Sequence, residues 1–319
     1  MLRRTFNALW LFALAASAAA AYPDRAVRII VPYVPGGNID ITARTLAPAL
    51  GEYLGAQIVV ENRGGAGGTI GTEVAAKAAA DGYTLLLGSS GTLTNAPALY
   101  PKLGYDPLKD FAATSMTTVV PMVLEAHPSV PAKTVREFIA LAKARPDRIT
   151  MASAGSGSSN HLAGALFQKA SDTRLIHVPY KGSGAALIDM MGGQVDVFFD
   201  QLSSSFGYLQ SGKLRAIAVT TLKRSPYAPE IPTVNESGVP GFDASTVTGI
   251  VLPAATPPEI TAKVHAALLK VLRLKTTRDS FARFGAETLE SSPEEFTRFL
   301  RDDLAKWNKL VRETGIKLE

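Results

Sequence analysis

From Val27 onward the chain alternates short apolar β-rich runs with longer helical patterns, and that alternation restricts the fold more than any other feature. The strand Val27–Val31 is followed by a Gly/Pro turn and a helix from Ile39 to Tyr53, in which Ile39, Ala43, Leu46, Leu50 and Leu54 recur at three- and four-residue spacing. Such spacing puts them on one buried face. A second strand, Gln57 to Glu61, leads through a glycine-rich loop to a helix from Gly71 to Ala80, the turn Asp81-Gly82 and the strand Tyr83 to Gly88. Uninterrupted apolar strands joined by helices predict a parallel sheet covered on both faces, built with right-handed crossovers.

A second unit begins near Met122. It reads helix Val135 to Ala144, strand Ile149 to Ser153, helix His161 to Ala170, strand Leu175 to Pro179, then strands Val195 to Phe199 and Leu214 to Val219. Thr246 to Pro253 is again strand-like, and the helices Pro258 to Leu274 and Pro293 to Thr314 finish the chain. The pattern predicts an α/β protein of two open sheets joined by a double-crossover hinge, with crossings at Thr118–Leu124 and Val247–Leu252. One lobe would comprise residues 22–121 plus 249–319, the other 122–248. In open α/β sheets ligands sit beyond the carboxyl ends of the strands, here in the cleft between lobes.

The first residues have a separate purpose. Arg3-Arg4, an apolar run from Phe6 to about Ser17 and a string of alanines to Ala21 compose a signal peptide, with cleavage expected near Ala20 or Ala21. The apolar run is shorter than the roughly 20 residues needed to span a bilayer. Lipid attachment would require a cysteine at the cleavage point, and the chain has 0 cysteines. The same absence excludes disulfides, thiol nucleophiles and cysteine-ligated metals. Removing Arg3 and Arg4 lowers the formal charge from +5 to +3, and no block of like charges suggests nucleic acid.

Four loops that follow strands and precede helices carry the candidate chemistry. In Pro35-Gly36-Gly37-Asn38-Ile39-Asp40, glycines bring the backbone close to a ligand and Asn38 or Asp40 can cap the helix, whose free N–H groups favour an anion; the same residues equally make a plain turn. The run Gly64 to Gly71 fits no register of G-x-G-x-x-G and reads as structural turning. Gly88-Ser89-Ser90-Gly91-Thr92 offers hydroxyls and amides opposite the first loop. Ser153 to His161 supplies a further helix N-terminus, but Asn160 stands where a dinucleotide fingerprint needs its third glycine, so no nucleotide cofactor is expected. Lys181 places a cation at a strand end, or is simply a solvated lysine, and Asp200 offers an acceptor. The histidines His127, His161, His177 and His265 lack metal spacing, and no serine has the flanking glycines of a nucleophile elbow, so neither metal nor catalysis is expected.

Several further segments stand in a distinctive order and spacing: Tyr22-Pro23, Ile30-Val31-Pro32 with Pro35-Gly36-Gly37 and Asp40, Glu61-Asn62-Arg63, Gly65-Ala66-Gly67-Gly68, Asp81-Gly82-Tyr83-Thr84, Tyr105-Asp106-Pro107 and Lys109-Asp110-Phe111. Ser153-Ala154-Gly155, His177 to Gly182, Gly192 to Asp196 and Gly212 to Ala216 continue the pattern over the whole mature chain. Together these segments resemble the substrate-binding receptors of tripartite tricarboxylate transporters, the Bug or TctC-type receptors. The resemblance implies a two-lobed periplasmic binding protein fold (type II-like) that closes on a small carboxylate and presents it to TctA/TctB-like membrane subunits, as a monomer. It assigns ligand contact to Tyr33, Gly37, Asn38 and Asp40, with Ala154, Ser158, Ser159, Asn160 and His161 opposite, and Ser89, Ser90, Gly91, Thr92, Lys181 and Asp200 around the rest. Asn38-Ile39, Asn160 and Gln201 depart from the usual residues at those places, so the ligand's identity does not transfer. A secreted serine hydrolase and a sensor for a signalling receptor remain as alternatives.

Overall fold

The computed structural model describes residues 22–315; the expected signal peptide lies outside them. Strand β1 (Val27–Val31) is almost wholly β-branched and buried, so it takes a central place with parallel neighbours on both sides. Helix α1 (Asn38–Leu54) starts after Gly36-Gly37 and stops at Gly55, whose φ of 80° is the left-handed conformation glycine adopts without strain. Its face of Ile39, Ala43, Leu46, Leu50 and Leu54 is buried in the first core.

β2 (Ile58–Asn62), α2 (Thr69–Ala76) and β3 (Thr84–Ser89) complete the first βαβαβ unit, after which a π-turn, Gly91–Asn95, runs into the short α3 (Ala96–Leu99). β4 (Phe111–Ala126) is 16 residues long and leads into α4 (Val135–Ala144), β5 (Thr150–Ser153), α5 (Ser159–Ser171), β6 (Ile176–Pro179) and α6 (Ser183–Met191). Then come β7 (Val197–Gln201), α7 (Leu202–Gln210), β8 (Arg215–Val219), β9 (Ser245–Pro253), α8 (Pro258–Arg273), α9 (Lys275–Arg283), β10 (Glu287–Thr288) and α10 (Pro293–Thr314). The last helix begins with a capping box between Ser292 and Glu295.

The strands run in the order β2-β1-β3-β9-β4-β7-β5-β6, with β8 and β10 also paired to β4. β4 belongs to both halves. From Phe111 to Pro121 it pairs antiparallel with β9, and from Met122 to Ala126 with β7. Val247–Leu252 lie inside β9, which pairs with β4 on one side and β3 on the other. Each lobe has its own core: Leu46, Leu50, Leu85 and Leu268 in the first, Phe138, Phe167 and Phe199 in the second. The chain is thus a mixed α/β protein of two lobes.

Candidate ligand site between the lobes

The carboxyl ends of β1, β3, β5, β6 and β7 face one another across the cleft, each followed by a polar turn into a helix or helical turn. They enclose a cavity of about 20 Å³ lined by Tyr33, Gly37, Asn38, Ile39, Ser89, Ala154, Ser159, Asn160, Ser183, Gln201 and Thr246. That volume admits about one water-sized group. No lining residue carries a formal charge.

The first loop is held rigid from behind. Asp40 accepts from the Gly36 backbone N–H at 3.0 Å, from Arg44 Nε at 3.0 Å and from Asn62 Nδ2 at 3.0 Å, while Asn62 Nδ2 also donates to the Tyr33 carbonyl. Burial alone would raise the Asp40 pKa, but these donors outweigh it and hold the carboxyl below its ordinary range. Asp40 therefore shapes the loop that carries Gly37 and Asn38 and does not itself line the cavity. The Tyr33 hydroxyl donates to the Gly67 carbonyl at 3.0 Å, joining the first loop to the glycine-rich one.

Opposite, Ser158 caps α5 by accepting from the His161 N–H at 3.3 Å, and His161 Nδ1 accepts from the Gly157 N–H at 3.2 Å. His161 stacks on His177 with ring centroids 4.1 Å apart. Burial first, and the neighbouring His177 second, lower the His161 pKa to about 3; burial lowers that of His177 to about 4. Both rings are neutral at physiological pH and brace the turn that presents Ala154, Ser159 and Asn160.

Asp200 is fully buried behind the cavity. It accepts from Ser183 Oγ at 2.6 Å, Ser205 Oγ at 3.1 Å, Asn160 Nδ2 at 3.2 Å and also from Ser204 Oγ. Burial raises its pKa despite these hydroxyls, and Ser205 Oγ also lies 2.9 Å from Oε1 of the fully buried Glu125, whose pKa burial and the nearby Asp200 push well upward. Ser90 bridges to β9 through the Val247 N–H at 3.2 Å, and Thr92 Oγ1 donates back to the Ser89 carbonyl. Lys181 is exposed, and it is its backbone carbonyl that reaches across the cleft, accepting from the Val34 N–H at 3.2 Å.

Of the residues expected at the site, the fold gathers Tyr33, Gly37, Asn38, Ser89, Ala154, Ser159 and Asn160 around the cavity. Asp40, Ser90, Gly91, Thr92, Ser158, His161, Lys181 and Asp200 are not in its lining. Ile39 and Gln201, noted in the sequence as departures but not assigned ligand contact, line it as well, and so do Ser183 and Thr246. Ser183 and Gln201 open helices after strands, so the rule that pointed to the other loops points to them too.

Further bonds tie lobe to lobe. Ser203 Oγ donates to Asn38 Oδ1 at 2.8 Å, Asn95 Nδ2 to Ser159 Oγ at 3.4 Å and the Tyr100 hydroxyl to the Ser156 carbonyl at 2.9 Å, while Gln201 Nε2 donates to Thr246 Oγ1 on β9 at 3.0 Å. Glycines let the backbones meet: a Cβ on Gly67 would lie 2.0 Å from the Ser156 carbonyl oxygen, and one on Gly184 2.1 Å from that of Pro35. The lobes are closed on each other. In this state the N-termini of α1 from one lobe and α5 and α6 from the other converge on an uncharged, hydroxyl-rich cavity, an arrangement that stabilises an anion.

Known proteins share this architecture. Residues 42–316 match the family described as tripartite tricarboxylate transporter family receptor, TctC. Protein BugT of Bordetella pertussis is 39% identical over 302 residues, covering 94% of this chain and 93% of that one. The structure of the periplasmic binding protein BugD superposes with a TM-score of 0.91 at 37% identity, over 93% of this chain and 100% of that one. MatC of Rhodopseudomonas palustris with bound malate superposes with a TM-score of 0.88 at 34% identity, over 91% of this chain and 100% of that one. With its sequence and its fold in agreement, the chain belongs to the tripartite tricarboxylate transporter receptor family.

Proposed function

We propose that the mature chain is a periplasmic receptor, exported through residues 1–21, that traps a small organic acid between its lobes and delivers it as a monomer to the membrane subunits of a tripartite transporter. The observation that carries this reading is the convergence of helix N-termini from both lobes on a cavity with no charged lining residue. An acid carboxylate satisfies both sets of N–H donors at once, so it favours the closed form over the open one, and only such differential affinity can report occupancy to a membrane partner. The hinge runs through β4 at Pro121-Met122, where its pairing passes from β9 to β7, and the chain returns to the first lobe within β9. The cavity is smaller than a dicarboxylate, so the lobes part for ligand to enter. MatC, with its malate, makes four-carbon acids the first candidates.

One pair favours a second reading as a hydrolase. Ser153 Oγ and His177 Nε2 are 2.6 Å apart, the spacing of a nucleophile and its base. Ser153 is nevertheless fully buried, and its Oγ already accepts from the Gly155 N–H at 3.1 Å, which makes the pair a brace for the loop.

A thermal-shift screen of residues 22–319 tests both readings. L-malate, succinate, adipate, citrate and benzoate are compared with sugars and simple cations. An acid at one hundred times its Kd should add about 2.7 kcal/mol of stability. Stabilisation by a sugar or cation and by no acid would overturn the receptor reading, and labelling of Ser153 by a serine-directed phosphonate would support the hydrolase.

A further inference from the structure

Asn38 stands at the first position of α1, in the cavity wall, and is only 2% exposed. Its two amide atoms are in different situations. Oδ1 accepts from Ser203 Oγ of the opposite lobe at 2.8 Å, while Nδ2 is buried without any hydrogen-bond partner. A buried amide N–H left without a partner costs free energy unless something accepts from it. Ser203, on α7, fixes which end of the amide faces which way, because its hydroxyl takes the oxygen and leaves the nitrogen free. The free donor sits beside the α1 N-terminus, where the helix dipole already favours negative charge.

We propose that Asn38 is a specificity-determining residue: its Nδ2 donates directly to an acceptor oxygen of the bound acid, and Ser203 aims it on closure. This inference rests on the receptor reading and adds to it a side-chain contact that backbone amides alone do not supply. Because the aiming hydroxyl comes from the other lobe, the donor is set only when the lobes meet. Asn38 thereby joins ligand recognition to closure in one side chain. Ser203 does not line the cavity and acts through Asn38 as a positioning residue.

Isothermal titration of wild type, Asn38→Ala, Asn38→Asp, Ser203→Ala and Ser203→Thr with L-malate, succinate, adipate and benzoate tests it, with the melting temperature of each variant measured alongside. For the acids that bind wild type, Asn38→Ala should lose about tenfold to hundredfold in affinity, the range for a hydrogen bond to a charged group. Asn38→Asp, which sets an anion against an anion, should lose more at pH 7 and regain affinity as the pH is lowered and the new carboxyl becomes a donor. Ser203→Ala should weaken binding by a smaller factor, and Ser203→Thr, which keeps the hydroxyl, should restore it. If wild type binds and the folded Asn38 variants bind within twofold of it, or if Asn38→Asp shows no recovery at low pH, the role assigned to Asn38 is wrong while the receptor reading stands. If wild type binds none of the acids, both fall.

Discussion

Asp200 and Asp40 stand behind the cavity wall, and both have their oxygens occupied from inside their own lobes. An ammonium group in the cleft would meet helix N-termini and amide or hydroxyl groups, with no free carboxylate to pair with. The protein should therefore separate an acid from its amino-acid counterpart: L-malate or succinate should bind at least about tenfold more tightly than L-aspartate in titration calorimetry, since an unpaired buried charge costs more than one neutral hydrogen bond. Equal or tighter binding of aspartate would show that Asp200 exchanges its serine partners for the ligand. The loop positions of Asn38 and Ser159 were legible in sequence because each follows a strand and opens a helix. That Asp40, His161 and Asp200 turn inward was not legible. Asp40 and His161 sit one helical step behind residues that face the cleft, and their direction depends on partners whose geometry only the fold sets: Asn62 and Ser183 come from other elements, and Gly157, near in sequence, turns its N–H toward the His161 ring.

Three elements of the second lobe, β4, α5 and β6, carry titratable groups that set opposite flanks of a stability profile. Glu125 on β4 holds its proton to higher pH in the folded chain than in the unfolded one, because burial and Asp200 disfavour its anion. Its contribution is full below the ordinary carboxylate range and is lost as the pH rises above it. The neutral His161 and His177 behave oppositely: their contribution is present above the ordinary histidine value and is lost as the pH falls toward 4 and 3. Glu125→Gln, which keeps the shape of the protonated acid, should flatten the alkaline decline of the melting temperature between pH 5 and 9 and leave the acid decline unchanged. Loss of stability at every pH would mean instead that the carboxyl is needed as such. Among the elements themselves, apolar strands and periodic helices could be read directly, whereas α9 and the first half of β4 could not. Lys275–Arg283 is mostly polar, with only Thr277 and Phe281 buried, and Phe111–Thr118 is mainly Ala, Thr and Ser, broken by Phe111 and Met116, and becomes a strand because β9 pairs with it.

At the scale of the molecule, closure depends on glycines that leave no room for a side chain. Gly184 has ordinary helical backbone within α6, so alanine there suits the helix in the open form, yet its Cβ would lie 2.1 Å from the Pro35 carbonyl oxygen in the closed one. Gly184→Ala should melt within about 2 °C of wild type, a shift of about 1 kcal/mol for a chain of this size. It should bind L-malate or any other recognised acid at least about tenfold more weakly, and remain extended in small-angle scattering with acid present. Wild-type affinity in this variant would mean that ligand is held without the closure described. Such seams are invisible in sequence, because nothing in Gly184 or Gly67 announces which distant carbonyl it must admit. The α/β class and the presence of two lobes could be read from the alternation of elements. How the lobes join could be read only in outline.

That join has a practical consequence. β4 gives its first eleven residues, Phe111–Pro121, to one sheet and its last five to the other, without an intervening loop. The lobes are therefore not separable parts. A cut between them leaves each half with a raw sheet edge and a missing ladder, the condition in which exposed strands pair with the wrong neighbours. Anyone wishing to graft the ligand-facing lobe onto another scaffold, or to split the protein into a complementing reporter, would have to supply this strand twice.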